Sequence, residues 1–505
     1  MSDLYDLFIV GGGINGVGIA RDAAGRGLKV ILVEQDDLAS KTSSASSKLI
    51  HGGLRYLEHY EFRLVREALG ERETLLKIAP HIIWPMTFVL PHDASIRPAW
   101  MIRAGLFLYD HLASRATLPA SRQLDLSHAP EGGGLKAGVR TGFSYADCWV
   151  DDARLVVLNA LDAKERGAII STRTRFVSAK RIDGEWLITC RAGDGRVQLH
   201  RARMLVNAAG PWVQQVLQNC VTAKHASKTR MVKGSHIVVS ALYQGAHAFI
   251  LQNPDKRIIF VIPYEHEYSL IGTTDVVHHG DVNDVAISEE ERIYLCESAS
   301  RLMSQQITPN QIVWEYAGVR PLYDDDGGAE ASKVTRDYVF DLQSHEGKAP
   351  ILNIYGGKIT TYRRLAEHAL EQLAPWCGRA MQGWTGMSPL PGGEFKNFEQ
   401  FVADAQQRYP FLQASLVHRY ARAYGTRLDT ILRGIGSVQA MGGNFGAGLY
   451  ECEVDYLINH EWAQSCEDIL WRRTKLGLHG GPSLSNALQA YLDHQSSQQV
   501  QVIRA

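Results

Sequence analysis

Three glycines near the start of the chain have the spacing of a phosphate-binding turn. Gly11, Gly13 and Gly16 follow a short apolar run at 7–10 and precede small apolar residues at helical spacing. Such glycines allow a tight turn and let the backbone approach a pyrophosphate, which the amide groups at a helix N-terminus then bind. Glu34 ends the next apolar run, where an acidic side chain accepts hydrogen bonds from an adenosine ribose and disfavours a 2′-phosphate. The pattern predicts a site for FAD or NAD rather than NADP, against the alternative of a plain glycine turn.

The chain then departs from the strand–helix–strand alternation of a single-domain NAD enzyme, which favours FAD. A serine-rich segment at 42–47 precedes a long helix predicted over about 62–79. Residues 168–206 show the alternation of antiparallel strands, with hairpin turns at 183–184 and 194–195. Serine-rich segments are typical of linkers. This one lies between a dinucleotide motif and a helix, so we predict a loop that faces the ligand.

The chain also returns twice to glycine-containing turns. A predicted buried strand ends in small residues at 208–210, and a third turn, Gly356-Gly357-Lys358, opens another helix. Small residues at a strand end permit a second close approach of the backbone to a cofactor. We predict that the three turns and the serine-rich loop bind the cofactor. The predicted residues are Gly11, Gly12, Gly13, Asn15, Gly16, Glu34, Ser43, Ser44, Ser46, Ser47, Lys48, Ala209, Gly210, Trp212, Gly356, Gly357, Lys358, Ile359 and Thr360.

These three returns resemble the FAD-dependent glycerol-3-phosphate dehydrogenases, within the wider group of D-amino-acid oxidases and glycine oxidases. The resemblance spans essentially the whole chain and is closest to the aerobic, respiratory type, which passes electrons to quinone. The segments that carry it most specifically are 43–57, 148–155, 233–236, 271–275, 318–322, 356–358 and 471–475. It implies FAD as the cofactor, sn-glycerol 3-phosphate as the substrate, a membrane quinone as the acceptor and a homodimer.

The resemblance also implies the fold class, which is α/β plus α. We expect a Rossmann-like FAD-binding domain interleaved with an antiparallel-sheet substrate domain and followed by a C-terminal helical domain. The FAD-binding part is predicted to comprise 1–80, about 145–225 and 350–388. The substrate part comprises 81–144 and about 226–349. A proline- and glycine-rich segment at 389–393 is interpreted as a linker to the helical region at 389–505.

The implied reaction removes a hydride from C2 of the substrate to flavin N5 and a proton from the C2 hydroxyl to a base. The substrate phosphate is an anion, and guanidinium groups bind phosphates with paired hydrogen bonds. The predicted substrate-binding residues are Arg55, Tyr56, Arg320 and Arg336. The alternative for Arg320 is a surface salt bridge. Arg336 could instead pair with Asp337, and Arg55 with Glu58, three residues along a helix.

Four residues are predicted to act in catalysis itself. Lys358 and its helix start would stabilise the negative charge that reduced flavin carries near N1 and C2=O, against the alternative of a solvated lysine. Arg320 would help to orient C2. His236 and His51 are the candidate bases because histidine titrates near neutral pH. The alternative for His236 is a satisfied histidine within a strand.

Composition indicates which partners and which cellular compartment are compatible with this chemistry. The 505 residues carry a formal net charge of −1, so no overall field favours nucleic acid. The seven cysteines are scattered without a CxxC pair, which predicts a reducing compartment and no structural metal site. We see no secretory signal and no membrane span.

A segment at 97–109 mixes basic residues with Trp, Phe and Leu, as interfacial helices do. A helix with one buried face is the alternative. Together with the resemblance, the segment predicts peripheral attachment to the inner face of the cytoplasmic membrane. Two other functions stay open at this point. One is a glycerol-3-phosphate oxidase that uses oxygen, and the other is a non-catalytic or RNA-modifying FAD protein.

Overall fold

The computed structural model describes residues 3–93, 96–113, 117–220, 229–323, 337–378 and 382–504. The strands of these residues are β1 Leu4–Val10, β2 Val30–Val33, β3 Leu49–Ile50, β4 Ile83–Pro91, β5 Arg122–Asp125, β6 Thr141–Val150, β7 Ile169–Ser171, β8 Thr174–Ile182, β9 Glu185–Ala192, β10 Val197–Asn207, β11 Thr229–Ser240, β12 Ala248–Gln252, β13 Ile258–Tyr264, β14 Tyr268–Gly272, β15 Val276–Val277, β16 Trp314–Tyr323, β17 Val339–His345, β18 Lys348–Tyr355, β19 Asn444–Gly446 and β20 Leu449–Tyr450.

The α-helices are α1 Ile14–Gly25, α2 Phe62–Ile78, α3 Ala99–His111, α4 Asp152–Glu165, α5 Val213–Gln218, α6 Glu289–Ser300, α7 Tyr362–Cys377, α8 Phe398–Arg408, α9 Ala414–Tyr424, α10 Leu428–Ile431, α11 Glu451–Glu461 and α12 Gly477–Arg504, which breaks at Gly481. A π-helix covers Asp468–Arg473. None of the helices in the described part of the chain combines the length and the apolarity that a bilayer span requires.

The first sheet has the strand order β17-β18-β10-β1-β2-β7. From β18 to β7 all neighbours are parallel, whereas β17 is antiparallel to β18. All four residues of β2 are buried, as expected for a parallel strand with both faces covered. β8 and β9 extend β10 through antiparallel pairing, and their turn at Asp183-Gly184 has positive φ at both residues. The two predicted hairpins are therefore confirmed.

The second sheet has ten strands in the order β15-β11-β14-β13-β12-β4-β6-β3, with β16 on β11 and β5 on β6. Its pairings are antiparallel except for β12 with β4. The second sheet is built from widely separated parts of the chain. Its strands β3, β4 and β6 come earlier in the sequence than most strands of the first sheet. The predicted boundary near 145 falls inside β6. The domain limits stay a prediction.

The C-terminal helices pack tightly against the rest of the molecule. The interpretation of 389–393 as a linker is wrong, because Leu390 is fully buried and its amide donates to Ile78 O at 2.8 Å. Gly392 has φ +93°, and a Cβ there would lie 2.3 Å from Tyr424 O. The buried guanidinium of Arg473 binds Asp37 at 2.7 and 2.8 Å. These contacts fix the helical region in place.

Candidate functional site

The carboxyl ends of four neighbouring parallel strands, β18, β10, β1 and β2, meet along one edge of the first sheet. In parallel sheets this edge is where ligands bind. The glycine turns follow β1, β10 and β18, and Glu34 follows β2. Asn15 donates from Nδ2 to Gly356 O at 3.1 Å, which joins the first turn to the third. Ala208 N donates to Val10 O at 2.9 Å and joins the second turn to the first.

An open cavity lies along this edge. Thirteen of the predicted site residues lie in its wall, namely Gly11, Gly13, Asn15, Glu34, Ser43, Tyr56, Ala209, Gly210, Trp212, Arg320, Gly356, Gly357 and Lys358. Sequence reasoning missed other members of the wall, among them Gln35, Ser40, Lys41, Thr42, Thr174, Arg175, Phe176 and Asp275. Asp275 had a signal, since it ends the specific segment at 271–275. Residues 174–176 begin a β-strand and have no motif that could have identified them.

The first glycine turn fits a dinucleotide. Gly11 has φ +112°, and a Cβ there would lie 2.5 Å from Ala208 O. A Cβ on Gly16 would lie 1.9 Å from Gly11 O, so the helix can start this close to the strand only with glycine. The Glu34 carboxylate accepts from Gly12 N at 2.6 Å and from Asp36 N at 2.8 Å. This carboxylate is fixed at the cavity wall by backbone amides, as binding an adenosine ribose would require. Burial raises its pKa.

The serine-rich loop contributes Ser43 to the wall, and the rest of the predicted loop residues hold its shape. Ser43 Oγ accepts from Ile14 N at 3.0 Å at the start of α1. Ser46 Oγ donates to Asp152 Oδ2 at 2.7 Å, and the buried Lys48 ammonium donates to Asp152 Oδ1 at 2.8 Å and to the Ser44 carbonyl at 3.1 Å. Ser44, Ser46, Ser47 and Lys48 therefore lie outside the wall. Their role in binding stays a prediction.

Four other predicted cofactor residues also lie outside the wall. Gly12 and Gly16 shape the first turn from behind, and Ile359 and Thr360 follow the third turn in a short 3-10 helix. Thr360 Oγ1 accepts from His51 N at 3.3 Å. The third turn is thereby tied to the segment that contains Arg55 and Tyr56.

The predicted cation of the third turn faces a predicted substrate residue. Lys358 Nζ lies 3.9 Å from the centroid of the Tyr56 ring. Gly53 has φ +76°, and a Cβ there would lie 2.3 Å from Tyr56 Cδ2, so glycine is needed for the ring to fold back over the turn. The wall therefore presents an ammonium group and a phenol side by side.

Arg320 reaches the same cavity from the second sheet. Its Nη2 donates to Asp275 Oδ1 at 2.6 Å, and its side chain is 41% exposed. A guanidinium has five N–H donors, so a carboxylate partner can orient the group and leave donors for a phosphate. The predicted alternative of a salt bridge is thus realised at the cavity wall, where Asp275 also lies.

Arg55 is half-buried and forms no hydrogen bond or ion pair with any residue that the structure describes. The predicted competitor Glu58 pairs instead with Arg97 at 2.9 Å. Arg336 lies outside the described residues. Asp337, its predicted competitor, pairs with Arg63 at 2.7 Å.

The two candidate bases lie close to the cavity, and neither lies in its wall. His236 Nε2 shares a 2.9 Å hydrogen bond with Ser47 Oγ, and the ring stacks on Tyr316 with centroids 4.8 Å apart. Burial, together with smaller effects of the Lys48 and Arg320 charges, lowers the pKa of His236 to about 3. The imidazole is therefore neutral at neutral pH and is a weak base until an anion binds nearby.

His51 differs from His236 in its charged surroundings. Burial lowers the pKa of His51, the Asp147 carboxylate opposes this shift and the Lys358 charge adds to it. The identity of the base stays a prediction for both histidines. The pKa of His51 thus responds both to a carboxylate and to the predicted flavin cation.

This chain resembles known proteins over nearly its whole length. A model of the family described as FAD dependent oxidoreductase matches residues 6–363. A second model, described as the C-terminal domain of alpha-glycerophosphate oxidase, matches residues 384–497. The solved structure of the glycerol-3-phosphate dehydrogenase from Bacillus halodurans complexed with FAD has a TM-score of 0.79 and 26% identity, covering 98% of this chain and 91% of that chain.

Two sequence relatives match nearly end to end. The glycerol-3-phosphate dehydrogenase of Pseudomonas aeruginosa is 55% identical over 493 residues, which are 97% of this chain and 96% of the relative. The D-erythritol 1-phosphate dehydrogenase of Brucella abortus is 53% identical over 480 residues, which are 94% of this chain and 95% of the relative.

Proposed function

Because this chain belongs to the FAD-dependent oxidoreductase family, as its glycine turns predicted, we propose that it oxidises sn-glycerol 3-phosphate to dihydroxyacetone phosphate. FAD is the cofactor and supplies the acceptor for the C2 hydride. The proposal is carried by one observation, which is the presence of Arg320, Lys358 and Tyr56 in the same cavity wall as the dinucleotide turn and Glu34. A small phosphorylated alcohol needs cations for its phosphate and a polar group for its hydroxyls.

Residues of this wall and residues that lie outside it take part in the reaction. Arg320 and Arg55 bind the phosphate, and Asp275 keeps the Arg320 guanidinium in place through their 2.6 Å contact. Tyr56 donates a hydrogen bond to the substrate, and Lys358 stabilises negative charge at the acceptor. His51 or His236 takes the proton of the C2 hydroxyl. Binding the phosphate orients C2, so that less entropy is lost when the bound substrate reaches the transition state.

The direct test is to add sn-glycerol 3-phosphate to the purified yellow protein without air. We expect the flavin absorbance to bleach and an equivalent amount of dihydroxyacetone phosphate to form. Absence of bleaching at millimolar substrate in FAD-loaded protein would refute the proposed oxidation. The enantiomer sn-glycerol 1-phosphate is the control for specificity.

D-erythritol 1-phosphate is a second candidate substrate. The relative with that name is 53% identical to this chain, close to the 55% of the glycerol-3-phosphate dehydrogenase. The two alcohols share the phosphate that Arg320 would bind and differ in the length of the carbon chain. The ratio of kcat/KM for the two substrates decides between them. A ratio above one for D-erythritol 1-phosphate would show that the longer alcohol is the better substrate.

We propose that the electrons pass to a membrane quinone. The support is the resemblance to the respiratory type and the apolar face on α3 described below. The alternative acceptor is oxygen. After anaerobic bleaching, a short-chain ubiquinone should restore the yellow colour much faster than air-saturated buffer. Rapid recovery in air with stoichiometric peroxide would favour the oxidase instead.

Attachment to the inner face of the cytoplasmic membrane is proposed from the exposed face of α3. Trp100 is 69% exposed and Phe107 is 62% exposed, while Ile102 and Leu106 on the other side of the helix are buried. Exposed aromatic residues beside basic ones bind lipid interfaces. The double variant Trp100→Ser/Phe107→Ser should lose flotation with vesicles of phosphatidylethanolamine and phosphatidylglycerol.

The matched control for flotation is Val197→Ser/Leu199→Ser, which removes two residues that are 61% and 56% exposed on β10. This control should float like the parent protein. Equal flotation of both double variants would contradict the attachment through α3.

The homodimer that the resemblance implies is tested by light scattering of the detergent-free protein.

A further inference from the structure

A buried carboxylate lies behind the segment at 51–56. Asp147, on β6, is 1% exposed. Its two oxygens each accept from the Tyr109 hydroxyl at 2.8 Å, and Oδ1 also accepts from Arg72 Nη1 at 2.7 Å. Arg72 and Tyr109 are 2% and 3% exposed. The cluster is thus removed from solvent and internally paired.

The Tyr109 hydroxyl connects this cluster to the backbone of Gly52. Gly52 N donates to Tyr109 Oη at 2.8 Å and lies 3.3 Å from Asp147 Oδ1. A Cβ on Gly52 would lie 2.6 Å from the same hydroxyl oxygen and 2.4 Å from Leu69 Cδ2. The amide can reach the hydroxyl only because position 52 has no side chain. This contact fixes the distance between the segment at 51–56 and the helices α2 and α3.

The segment carries predicted site residues on its other side. His51 N is held by Thr360 Oγ1, and Gly53 turns the chain so that the Tyr56 ring covers it. The same ring lies 3.9 Å from Lys358 Nζ. A continuous set of contacts therefore leads from Asp147 to the cavity wall, although neither Asp147 nor Tyr109 lies in that wall.

We propose that Asp147 and Tyr109 are positioning residues, which hold His51 and Tyr56 in register with Lys358 through the Gly52 amide. Burying an ion pair costs desolvation that an apolar cluster of the same volume would avoid. Holding the segment at 51–56 in position offsets this cost functionally, because small misplacements of binding groups slow a reaction strongly. The inference rests on the proposed function of the cavity.

Tyr109→Phe is the decisive variant, because it keeps the buried ring and removes only the hydroxyl. With sn-glycerol 3-phosphate at saturation, we expect the rate of anaerobic flavin bleaching per bound FAD to fall about 3- to 10-fold, the factor that one hydrogen bond is worth. FAD content should stay near that of the parent protein, whereas the thermal midpoint should fall, because the buried Gly52 amide and the Asp147 carboxylate lose a hydrogen-bond partner. A purely structural role would lower the midpoint and leave the rate per bound FAD unchanged, which would overturn the proposal.

Tyr145→Phe is the matched control. Its ring is also buried and lies 5.5 Å from that of Tyr109, and it should bleach at the parental rate. Asp147→Asn should slow bleaching at least as much as Tyr109→Phe, and if it does not fold, Tyr109→Phe alone decides. If the parent protein itself is not bleached, the proposed function fails. If the parent is bleached and Tyr109→Phe matches it, only the positioning role fails.

Discussion

The ammonium group of Lys358 lies 3.9 Å from the centroid of the Tyr56 ring. The two residues come from the third glycine turn and from the segment after the serine-rich loop, so their contact closes one part of the cavity wall. A cation over an aromatic face gains about 0.5–2 kcal/mol. The pair therefore holds an ammonium group and a phenol at a fixed separation in the cavity wall.

Replacing Lys358 by methionine should slow flavin reduction roughly 100-fold, because removing one preorganised electrostatic group typically costs that much. The midpoint potential of the bound flavin should become more negative, since its reduced form loses a neighbouring cation. Stopped-flow absorbance and redox titration measure the two quantities. Lys164→Met is the control, because Lys164 Nζ lies over Trp462 at 4.9 Å, away from the cavity. Equal rates for the two variants would contradict the role of Lys358.

The arginines Arg320 and Arg336 should bind the substrate phosphate. Each charge-assisted hydrogen bond contributes roughly 1.5–3 kcal/mol, so Arg320→Ala and Arg336→Ala should each lower kcat/KM about 10- to 100-fold with FAD still bound. Part of the loss should appear in kcat, because the phosphate contact orients C2. Steady-state kinetics with sn-glycerol 3-phosphate measures both parameters.

Glycerol is the control substrate for the arginine variants because it lacks the phosphate. Any residual oxidation of glycerol should change little in Arg320→Ala and Arg336→Ala. An equally steep loss with glycerol would mean that the arginines serve the cofactor or the fold.

Glu34 should contribute to FAD affinity, because its carboxylate is held at the cavity wall by two backbone amides. In Glu34→Gln the amide group would direct a donor at one of these N–H groups, so FAD should bind roughly 10- to 100-fold more weakly. Fluorescence titration of the apoprotein with FAD measures this. Glu185→Gln, which changes a glutamate paired with Arg201 on the first sheet, should leave the affinity unchanged.

We also expect acid precipitation to release all the flavin, and colour in the pellet would refute non-covalent binding.

His236 should make the protein less stable in acid. Its pKa is lowered from 6.5 to about 3 by burial, so between these values the unfolded chain binds a proton that the folded protein excludes. The free energy of unfolding therefore falls as the pH drops below about 6.5, by up to about 1.4 kcal/mol per pH unit. Urea unfolding of His236→Gln should show a shallower loss between pH 6.5 and 4. The exposed His345→Gln should keep the parental slope, and a parental slope in His236→Gln would disprove the assignment.

Local patterns in the sequence were enough to predict the dinucleotide turn, the carboxylate after β2 and the two hairpins of the first sheet. Each of these depends on residues within a few positions of one another. Position 16 must be glycine because a Cβ there would collide with the carbonyl oxygen of Gly11. The turn at Asp183-Gly184 forms because both residues adopt positive φ. The long helix at 62–78 likewise follows from the spacing of its apolar residues. The resemblance of the motifs to a known family added the substrate and the cofactor.

The tertiary structure alone decided which of these residues share a wall. Lys48, which the motif assigned to the cofactor, is bound by Asp152 behind the loop. Asp275 and Tyr109 drew no role from the sequence, yet Asp275 orients Arg320 and Tyr109 holds Gly52. Such pairs depend on strand register and helix packing between distant segments. The hydrophobic periodicity and the turn residues of a segment do not predict these contacts. They indicate only which face of its own helix or strand each residue occupies.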